Sequence, residues 1–307
     1  MKRKFSGAKK RIIRIIIIIC ALGMVVSGYF VYIELSEYRA GNDAYNDLKQ
    51  FIDPPSTQLY ESGRANDTAS IETGDNSSDE ARAQYDQADA SDRADVADAP
   101  IDTGSSGAAS VTGGAPDAWP TVDFSGLRGI NNDVVAWLRC PGTIIDYPVV
   151  YGEDNEYYLD HLVNGTQNKA GSLFIDCRNM PDFSDRNTII YGHNMRNGSM
   201  FRTITQFGNR NFFNAHPSMY LVTDGGDCYY IELFSAFTAS VDEEAWTVNF
   251  IDDEAFEIWL EWVKQKSNVA SNVQVIAGER VVTFSTCSYS FDNARFVAVG
   301  KLTTLSG

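Results

Sequence analysis

The chain has 307 residues, of which 44% are hydrophobic, and its formal net charge is -16. This length allows one or two domains. The acidity argues against nucleic acid as a partner, because phosphate binding requires clustered Lys and Arg. The charges are unevenly spread, so their positions along the chain are more informative than their sum.

The N-terminus joins a basic segment to a long apolar one. Residues 1–14 form a basic tail with seven Lys or Arg and no acid, and residues 15–33 are nineteen residues without a charge. As a helix this run is about 28 Å long, close to the hydrocarbon thickness of a bilayer. The positive flank predicts a single-pass transmembrane helix in the cell membrane, with a cytoplasmic N-terminus and an extracytoplasmic remainder. A cleaved secretory signal is the alternative, although the run is long for one.

Two segments of different character follow the apolar run. Residues 34–57 are predicted to be a juxtamembrane helical segment, which stops at a Pro-Pro pair. Residues 58–117 are rich in Ala, Asp, Ser and Gly, so they bury too little apolar surface to offset the entropy cost of ordering. We predict a disordered acidic linker there, a spacer with an r.m.s. reach of about 40–45 Å that holds the following domain off the membrane.

Residues 118–307 have the composition of a folded domain built mainly from strands. Strand-like runs occupy residues 134–151, 171–177, 187–193, 219–240, 280–287 and 295–302. Short spacing, frequent turns and the lack of a repeated βαβ pattern favour a closed or nearly closed β-barrel. One helix is predicted over residues 252–266, because Phe256, Trp259, Leu260 and Val263 recur at helical spacing.

The chain contains five cysteines, of which Cys20 lies in the predicted membrane span. The others have no Cys-x-x-Cys pair, so zinc spacing is absent and no metal site is expected. Disulfides outside the cell are an open alternative for Cys140, Cys177 and Cys228, but we interpret these three as mostly buried thiols.

Cys287 is the candidate nucleophile, because it ends an apolar strand in an exported domain and a nearby cation would favour its thiolate. Three histidines are available, His161, His193 and His216. His193 leaves a buried strand in "TIIYGHNM", where a rigid scaffold would hold a catalytic side chain.

Arg295 starts the strand that follows Cys287. If these two strands pair, the guanidinium and the sulfur face one pocket, where the guanidinium could hold a substrate carbonyl or stabilise an oxyanion. The alternative is a surface ion pair between Arg295 and Asp292, a contact that contributes little.

The order His193, Cys287, Arg295 resembles that of the sortases, the membrane-anchored cysteine transpeptidases of mainly Gram-positive bacteria. The stretch "TFSTCSYSFDNARFVAVGKL" resembles the T-L-x-T-C signature with its downstream arginine, with Phe284 where leucine is usual. "NTIIYGHNM" resembles the histidine strand, and "WLRCPGTIIDYPVVYGEDNEYYLDH" and "AGSLFIDCRN" resemble early strands of class B sortases. The helix before the cysteine strand is a further class B feature, and the resemblance covers roughly residues 119–304.

The resemblance implies a closed eight-stranded sortase-type β-barrel with peripheral helices. It implies Cys287 as nucleophile, His193 as general acid/base and Arg295 as the clamp on substrate and oxyanion. Three neighbours of the nucleophile are also expected to contact substrate: Ser285, Thr286 and Tyr289.

Sortases cut a cell-wall sorting signal after its threonine, leaving a thioester on the enzyme that an amine then resolves. The resemblance therefore implies, as partners, surface proteins with a C-terminal sorting signal and an amine of a peptidoglycan precursor or of another protein. No cofactor is expected, since class B members have no well-established metal requirement.

Two alternatives from other classes stay open. L,D-transpeptidases also use an exported cysteine and histidine, but their S-H-G-C-x-R motif places histidine beside the cysteine, and "FSTCS" has no such neighbour. A non-catalytic tethered β-barrel binding module would contain Cys287 only as a structural residue. Selective alkylation of Cys287 would favour an enzyme, and an inert thiol would favour the module.

Overall fold

The computed structural model describes residues 7–53, 120–288, 290 and 293–305. The predicted linker lies outside the described residues, as do Tyr289 and Asp292.

The N-terminal helix α1 spans Gly7–Leu48 without interruption, a length of 42 residues or about 63 Å. It contains one stretch that is long and apolar enough to cross a membrane. The side chains of residues 11–37 are exposed, whereas Tyr45 and Leu48 near the end of the helix are each only 5% exposed. The last turns of α1 therefore belong to the hydrophobic core of the folded domain.

Polar contacts fix the end of α1 against a loop of the domain. The Tyr45 hydroxyl donates to the carbonyl oxygen of Gly171 at 2.5 Å. Asn168 Nδ2 donates to the carbonyl oxygen of Glu37 at 3.0 Å, and Lys169 Nζ lies 3.1 Å from the Glu37 carboxylate. Because these bonds are directional, they set the orientation of the helix as well as its contact.

The two chain segments that flank residues 54–119 are paired with each other. Strand β1 (Ile52–Asp53) and strand β2 (Thr121–Val122) form a two-stranded antiparallel sheet. The backbone N–H of Asp123 also donates to the carbonyl oxygen of Phe51 at 2.8 Å. The chain thus leaves the folded domain and returns to it at one place.

Eight strands form a closed barrel in the order β10-β8-β7-β3-β4-β5-β6-β9, and β9 pairs with β10 to complete it. The barrel strands are β3 Val134–Arg139, β4 Asp146–Tyr151, β5 Leu173–Ile175, β6 Asn187–Tyr191, β7 Ser218–Thr223, β8 Cys228–Ser240, β9 Arg280–Cys287 and β10 Ala294–Leu305. The pairs β4–β5 and β6–β9 are parallel. Closure leaves no barrel strand with an unpaired edge, and it confirms the predicted eight-stranded barrel.

Three short helices lie around the barrel: α2 Phe124–Ile130, α3 Arg210–Ala215 and α4 Asp253–Lys266. Helix α4 confirms the helix predicted before the cysteine strand. It begins after Asp252, whose carboxylate caps it by accepting from the backbone N–H of Ala255 at 2.8 Å. All four residues of its predicted apolar stripe are buried against the outer face of the sheet.

The main hydrophobic core contains many aliphatic side chains and several aromatic ones. Phe284, which stands where sortases usually have leucine, is fully buried and packs edge-on against Phe201, with ring centroids 5.9 Å apart. The larger ring is therefore accommodated by an aromatic partner within the core.

Candidate active site

Adjacent strands place Cys287 beside Arg295. Cys287 is the last residue of β9, Arg295 is the second residue of β10, and the two are directly opposite in the antiparallel register. The backbone N–H of Ser288 donates to the carbonyl oxygen of Ala294 at 2.9 Å. Two residues opposite each other across an antiparallel pair project to the same face, so the register brings the thiol and the guanidinium together.

A parallel strand places His193 at the same level. Strand β6 pairs with β9, with Tyr191 opposite Ser285, and the N–H of Gly192 continues the ladder to the carbonyl oxygen of Ser285 at 3.2 Å. His193 follows at once, level with Cys287. A Cβ at position 192 would lie 2.7 Å from the Phe201 ring, so this close approach requires glycine before the histidine.

The three side chains line one cavity of about 210 Å³. The cavity is bordered by Asn155, Leu159, Phe174, Tyr191, Gly192, His193, Ser285, Thr286, Cys287 and Arg295. A larger cavity of about 640 Å³ is lined by Asp133, Tyr151, Glu153 and Cys177, among others, but contains none of the three predicted catalytic side chains. We assign the candidate site to the smaller cavity, because the reactive groups converge there.

The electrostatic environment favours an ionised pair. A hydrogen bond from His193 lowers the pKa of the Cys287 thiol, and the charge of Arg295 lowers it further, while burial opposes both. The same hydrogen bond raises the pKa of His193 against the effect of burial. His193 Nε2 lies 2.5 Å from the Leu159 carbonyl oxygen, which also raises the pKa of the imidazole. A lowered thiol pKa beside a raised imidazole pKa stabilises a thiolate–imidazolium pair.

Asn194 holds the main chain of the candidate nucleophile. Its side-chain Nδ2 donates to the carbonyl oxygen of Cys287 at 2.8 Å, and its Oδ1 accepts from Arg202 at 3.2 Å. The sequence reasoning missed Asn194 although it follows His193 directly in "YGHNM". The available signal was its place in the chain. Asn194 is the second residue after Gly192, and in the parallel pairing of β6 with β9 that position lies beside Cys287.

The residues expected to contact substrate have different surroundings. Ser285 is 1% exposed, and its Oγ accepts from Trp246 Nε1 at 3.2 Å. Thr286 is 2% exposed, and within the described part of the chain its hydroxyl has no hydrogen-bond partner. Both border the cavity. Tyr289 lies outside the described residues, so its contact with substrate stays a prediction.

Arg295 makes one hydrogen bond in the described structure, from Nη1 to the carbonyl oxygen of Ala294 at 3.1 Å. Its predicted alternative partner Asp292 lies outside the described residues. Most of the guanidinium donors are therefore uncommitted within the described part of the chain.

The other histidines lie outside the cavity lining. His161 stacks on Tyr157 with ring centroids 4.1 Å apart and pairs with Asp160 at 2.7 Å. His216 Nδ1 lies 3.1 Å from the carbonyl oxygen of Pro141. Both make local contacts that fit a structural role.

All five cysteines are free. Cys140 is buried as predicted, and burial raises the pKa of its thiol to about 11. Cys177 and Cys228 are of intermediate burial, and Cys228 packs against the hydrophobic core, so these two thiols are less fully covered than Cys140. Cys177 lies where the chain leaves β5 for a loop, and Cys228 is the first residue of β8 after a hairpin turn, and such positions leave a side chain partly open to solvent.

Comparisons with known proteins identify the family. The family model described as the sortase domain matches residues 138–303. Sortase B of Listeria monocytogenes is 39% identical over 180 residues, which is 58% of this chain and 73% of that protein. The crystal structure of Clostridium perfringens sortase B is matched with a TM-score of 0.56 at 37% identity, over 59% of this chain and 99% of that one. The crystal structure of Staphylococcus aureus sortase B is matched with a TM-score of 0.57 at 31% identity, over 60% of this chain and 87% of that one.

The family-model match runs from within β3 into β10, and it includes the segments that carry His193, Cys287 and Arg295. The chain belongs to the sortase family of transpeptidases, and its similarities lie with the class B members.

Proposed function

We propose that this protein is a membrane-anchored, extracytoplasmic cysteine transpeptidase. It cleaves a sorting signal after threonine and transfers the threonine carbonyl to an amine of a peptidoglycan precursor or of another protein. The observation that carries the proposal is the convergence of Cys287, His193 and Arg295 on one cavity at the ends of three neighbouring strands.

Acylation begins with the ion pair that the site favours. The Cys287 sulfur attacks the threonine carbonyl carbon, and the carbonyl oxygen becomes an oxyanion that the Arg295 guanidinium stabilises. His193 gives its proton to the leaving amide nitrogen as the C–N bond breaks. The products are an enzyme thioester and a released C-terminal fragment with a free amine.

Deacylation runs the same groups in reverse. The acceptor amine attacks the thioester carbonyl, and His193, now neutral, takes the proton that this nitrogen loses. The C–S bond breaks, Cys287 leaves as a thiolate, and the imidazolium is restored. An imidazolium has two N–H donors, so it can donate to the Leu159 carbonyl and to the thiolate at once.

The two substrates are proposed by similarity and by chemistry. Structures of Staphylococcus aureus sortase B exist as a substrate complex, and a structure of sortase B exists in complex with triglycine. Triglycine carries a free α-amine, the kind of nucleophile that the thioester requires. We therefore propose a threonine-containing sorting peptide as acyl donor and a primary amine as acceptor for this chain.

The membrane attachment is proposed from α1. Its exposed apolar stretch follows the basic residues Arg11 and Arg14, and positive flanks remain cytoplasmic. The candidate site would then lie outside the membrane, where sorting signals and wall precursors are found.

The test traps the acyl-enzyme. Full-length protein in detergent micelles is incubated with a library of threonine-containing peptides, and a thioester on Cys287 is detected by mass spectrometry. Cys287→Ala should lose acyl transfer while keeping its fold, and Cys177→Ala, a partly buried thiol in the larger cavity, should act like wild type. Acyl transfer by Cys287→Ala near the wild-type rate would refute the assignment.

The same samples separate the alternatives. If the protein is a non-catalytic binding module, iodoacetamide should leave Cys287 unmodified. If it is the proposed transpeptidase, the same treatment should alkylate Cys287. The L,D-transpeptidase alternative has no support, because the matching family model is that of the sortases.

A further inference from the structure

A fully buried carboxylate lies behind the candidate site. The Asp176 side chain has no exposed surface, follows β5 and is bonded on two sides. Arg178 donates to it from Nε at 2.8 Å and from Nη2 at 2.7 Å, and the Tyr191 hydroxyl donates to it at 2.8 Å. Burial would raise the pKa of Asp176, but these hydrogen bonds outweigh burial and lower it. A buried charge is costly unless it is fully paired, so the donors around Asp176 are needed to compensate for its burial.

The bonds continue from Arg178 through Trp246 to Ser285, which also borders the cavity. Arg178 Nη2 also donates to the carbonyl oxygen of Trp246 at 3.2 Å, and Trp246 Nε1 donates to Ser285 Oγ at 3.2 Å. Ser285 and Tyr191 are neighbours in the β6–β9 ladder. The five residues Tyr191, Asp176, Arg178, Trp246 and Ser285 thus form a closed circuit, which we call the polar ring.

The polar ring joins elements that are distant in sequence. It ties the ends of β6 and β9 to the segment between β8 and α4, where Glu244–Trp246 forms a 3₁₀ turn. Tyr191 and Ser285 both border the cavity. Asp176 and Arg178 connect Tyr191 to Trp246, and Trp246 is bonded to Ser285. The polar ring therefore fixes the positions of two residues that line the cavity.

The ring does not touch the reactive groups. In the described part of the chain, no side-chain hydrogen bond joins it to Cys287, His193 or Arg295. The Ser285 hydroxyl accepts from Trp246 and has no acceptor for its own proton among the described residues, so this hydroxyl at the cavity border is left with a proton to donate. Such a hydroxyl can donate a hydrogen bond to a carbonyl oxygen of a bound peptide.

We propose that Asp176 is a positioning residue that, through Arg178 and Trp246, holds the cavity wall that binds the threonine peptide. It determines peptide affinity and leaves the acyl-transfer chemistry unchanged. The inference rests on the proposed function, because it assumes that a peptide occupies this cavity.

The experiment measures steady-state kinetics of the full-length protein with the library peptide that acylates the wild type fastest. Asp176→Asn removes the charge but keeps the shape, and it should raise KM about ten-fold, as expected for the loss of charge-assisted hydrogen bonds. Its kcat and the rate of iodoacetamide alkylation of Cys287 should stay within about two-fold of wild type. A role confined to fold stability would lower the melting temperature without changing KM.

Asp146→Asn is the matched control. Asp146 also accepts from a tryptophan, Trp137 Nε1 at 2.8 Å, and faces an arginine, Arg139 at 3.7 Å, but it lies on β4 away from the cavity lining. It should leave KM unchanged.

Trp246→Phe provides a second variant if Asp176→Asn does not fold. It removes one indole N–H and keeps an aromatic ring, and it should also raise KM. The double variant of Asp176→Asn and Trp246→Phe should be no worse than the more severe single variant, because both break one circuit.

Two results would overturn the inference: a wild-type KM in Trp246→Phe and in folded Asp176→Asn, or a fall in the alkylation rate that matches the fall in kcat/KM. Either result with an active wild type refutes only the role of the ring. A wild type that forms no thioester refutes the proposed function instead.

Discussion

Replacing Arg295 with lysine separates an electrostatic effect on Cys287 from the proposed clamp on the substrate carbonyl. The charge of Arg295 lowers the pKa of the Cys287 thiol, and lysine keeps that charge. The planar donor array is lost, because an ammonium is a point charge with three donors on a flexible stem. Arg295→Lys should therefore keep the thiolate and lose the clamp on the substrate carbonyl.

The size of the effect follows from the Arg295 donors that have no partner within the part of the chain that the structure describes. One hydrogen bond from Arg295 goes to the carbonyl oxygen of Ala294, and a guanidinium has five N–H donors. Enough donors remain to hold an oxyanion, and removing one such donor costs roughly 10²-fold to 10³-fold in rate, about 2.7–4 kcal/mol. We expect kcat/KM of Arg295→Lys to fall by at least about 10²-fold.

The assay combines peptide turnover with alkylation of Cys287 by iodoacetamide. In Arg295→Lys turnover should fall while alkylation stays near wild type, and in Arg295→Met both should fall because the charge is gone. Arg280→Lys is the control: Arg280 lies opposite Leu302 on the same two strands, about 23 Å from Cys287 at 3.3 Å per residue. Turnover by Arg295→Lys within about three-fold of wild type would contradict the clamp.

Further predictions concern pH and stability. Because the pKa of Cys287 is lowered, its alkylation rate should rise with pH through a midpoint below that of an ordinary thiol. His193→Gln removes the largest contribution to this lowering and leaves burial, so the midpoint should move up, and an unchanged midpoint would contradict the ion pair. Tyr45→Phe removes the hydroxyl that joins α1 to the domain and should lower the free energy of unfolding by about 1–3 kcal/mol, measured by urea unfolding. Phe256→Ala empties a fully buried site in α4 and should cost about 3–5 kcal/mol. Ile258→Ala on the exposed face of α4 should change stability by less than about 0.5 kcal/mol, and equal losses in the two variants would refute the assigned burial.

The sequence was sufficient for features that depend on local periodicity. The apolar stripe of α4 and the strand-like run over residues 219–240 were predicted at nearly the observed positions, because helical and strand patterns are visible within a few residues. The pairing of Cys287 with Arg295 followed from two strands joined by a short loop. His193 was selected because it leaves a buried strand, and it lines the same cavity as Cys287.

Contacts between segments that are distant in sequence could not be predicted from local sequence patterns. The bond from His193 to the Leu159 carbonyl joins residues 34 positions apart, and no pattern around Leu159 indicates it. Asp176 is one acid among 41 Asp and Glu, and only its burial distinguishes it. The docking of α1 was missed because Tyr45 and Leu48 were assigned to a juxtamembrane helical segment, and no contact between that segment and the domain was predicted.

The small sheet of Ile52–Asp53 and Thr121–Val122 changes what residues 54–119 can do. Because the segments at both ends of that stretch are paired with each other, we expect that a change in its length leaves the distance between the barrel and the proposed membrane span unchanged. The spacer role predicted for residues 58–117 stays a prediction, and the pairing of the flanking segments indicates that α1 is the more direct connection between the span and the barrel. If α1 spans the membrane as proposed above, the distance between the bilayer and the barrel is set by the stretch of α1 from Ile33 to Tyr45. That stretch is about 18 Å long at 1.5 Å per residue. Inserting one helical turn there should move the barrel about 5 Å further from the bilayer. Deleting residues 58–117 should leave that distance unchanged.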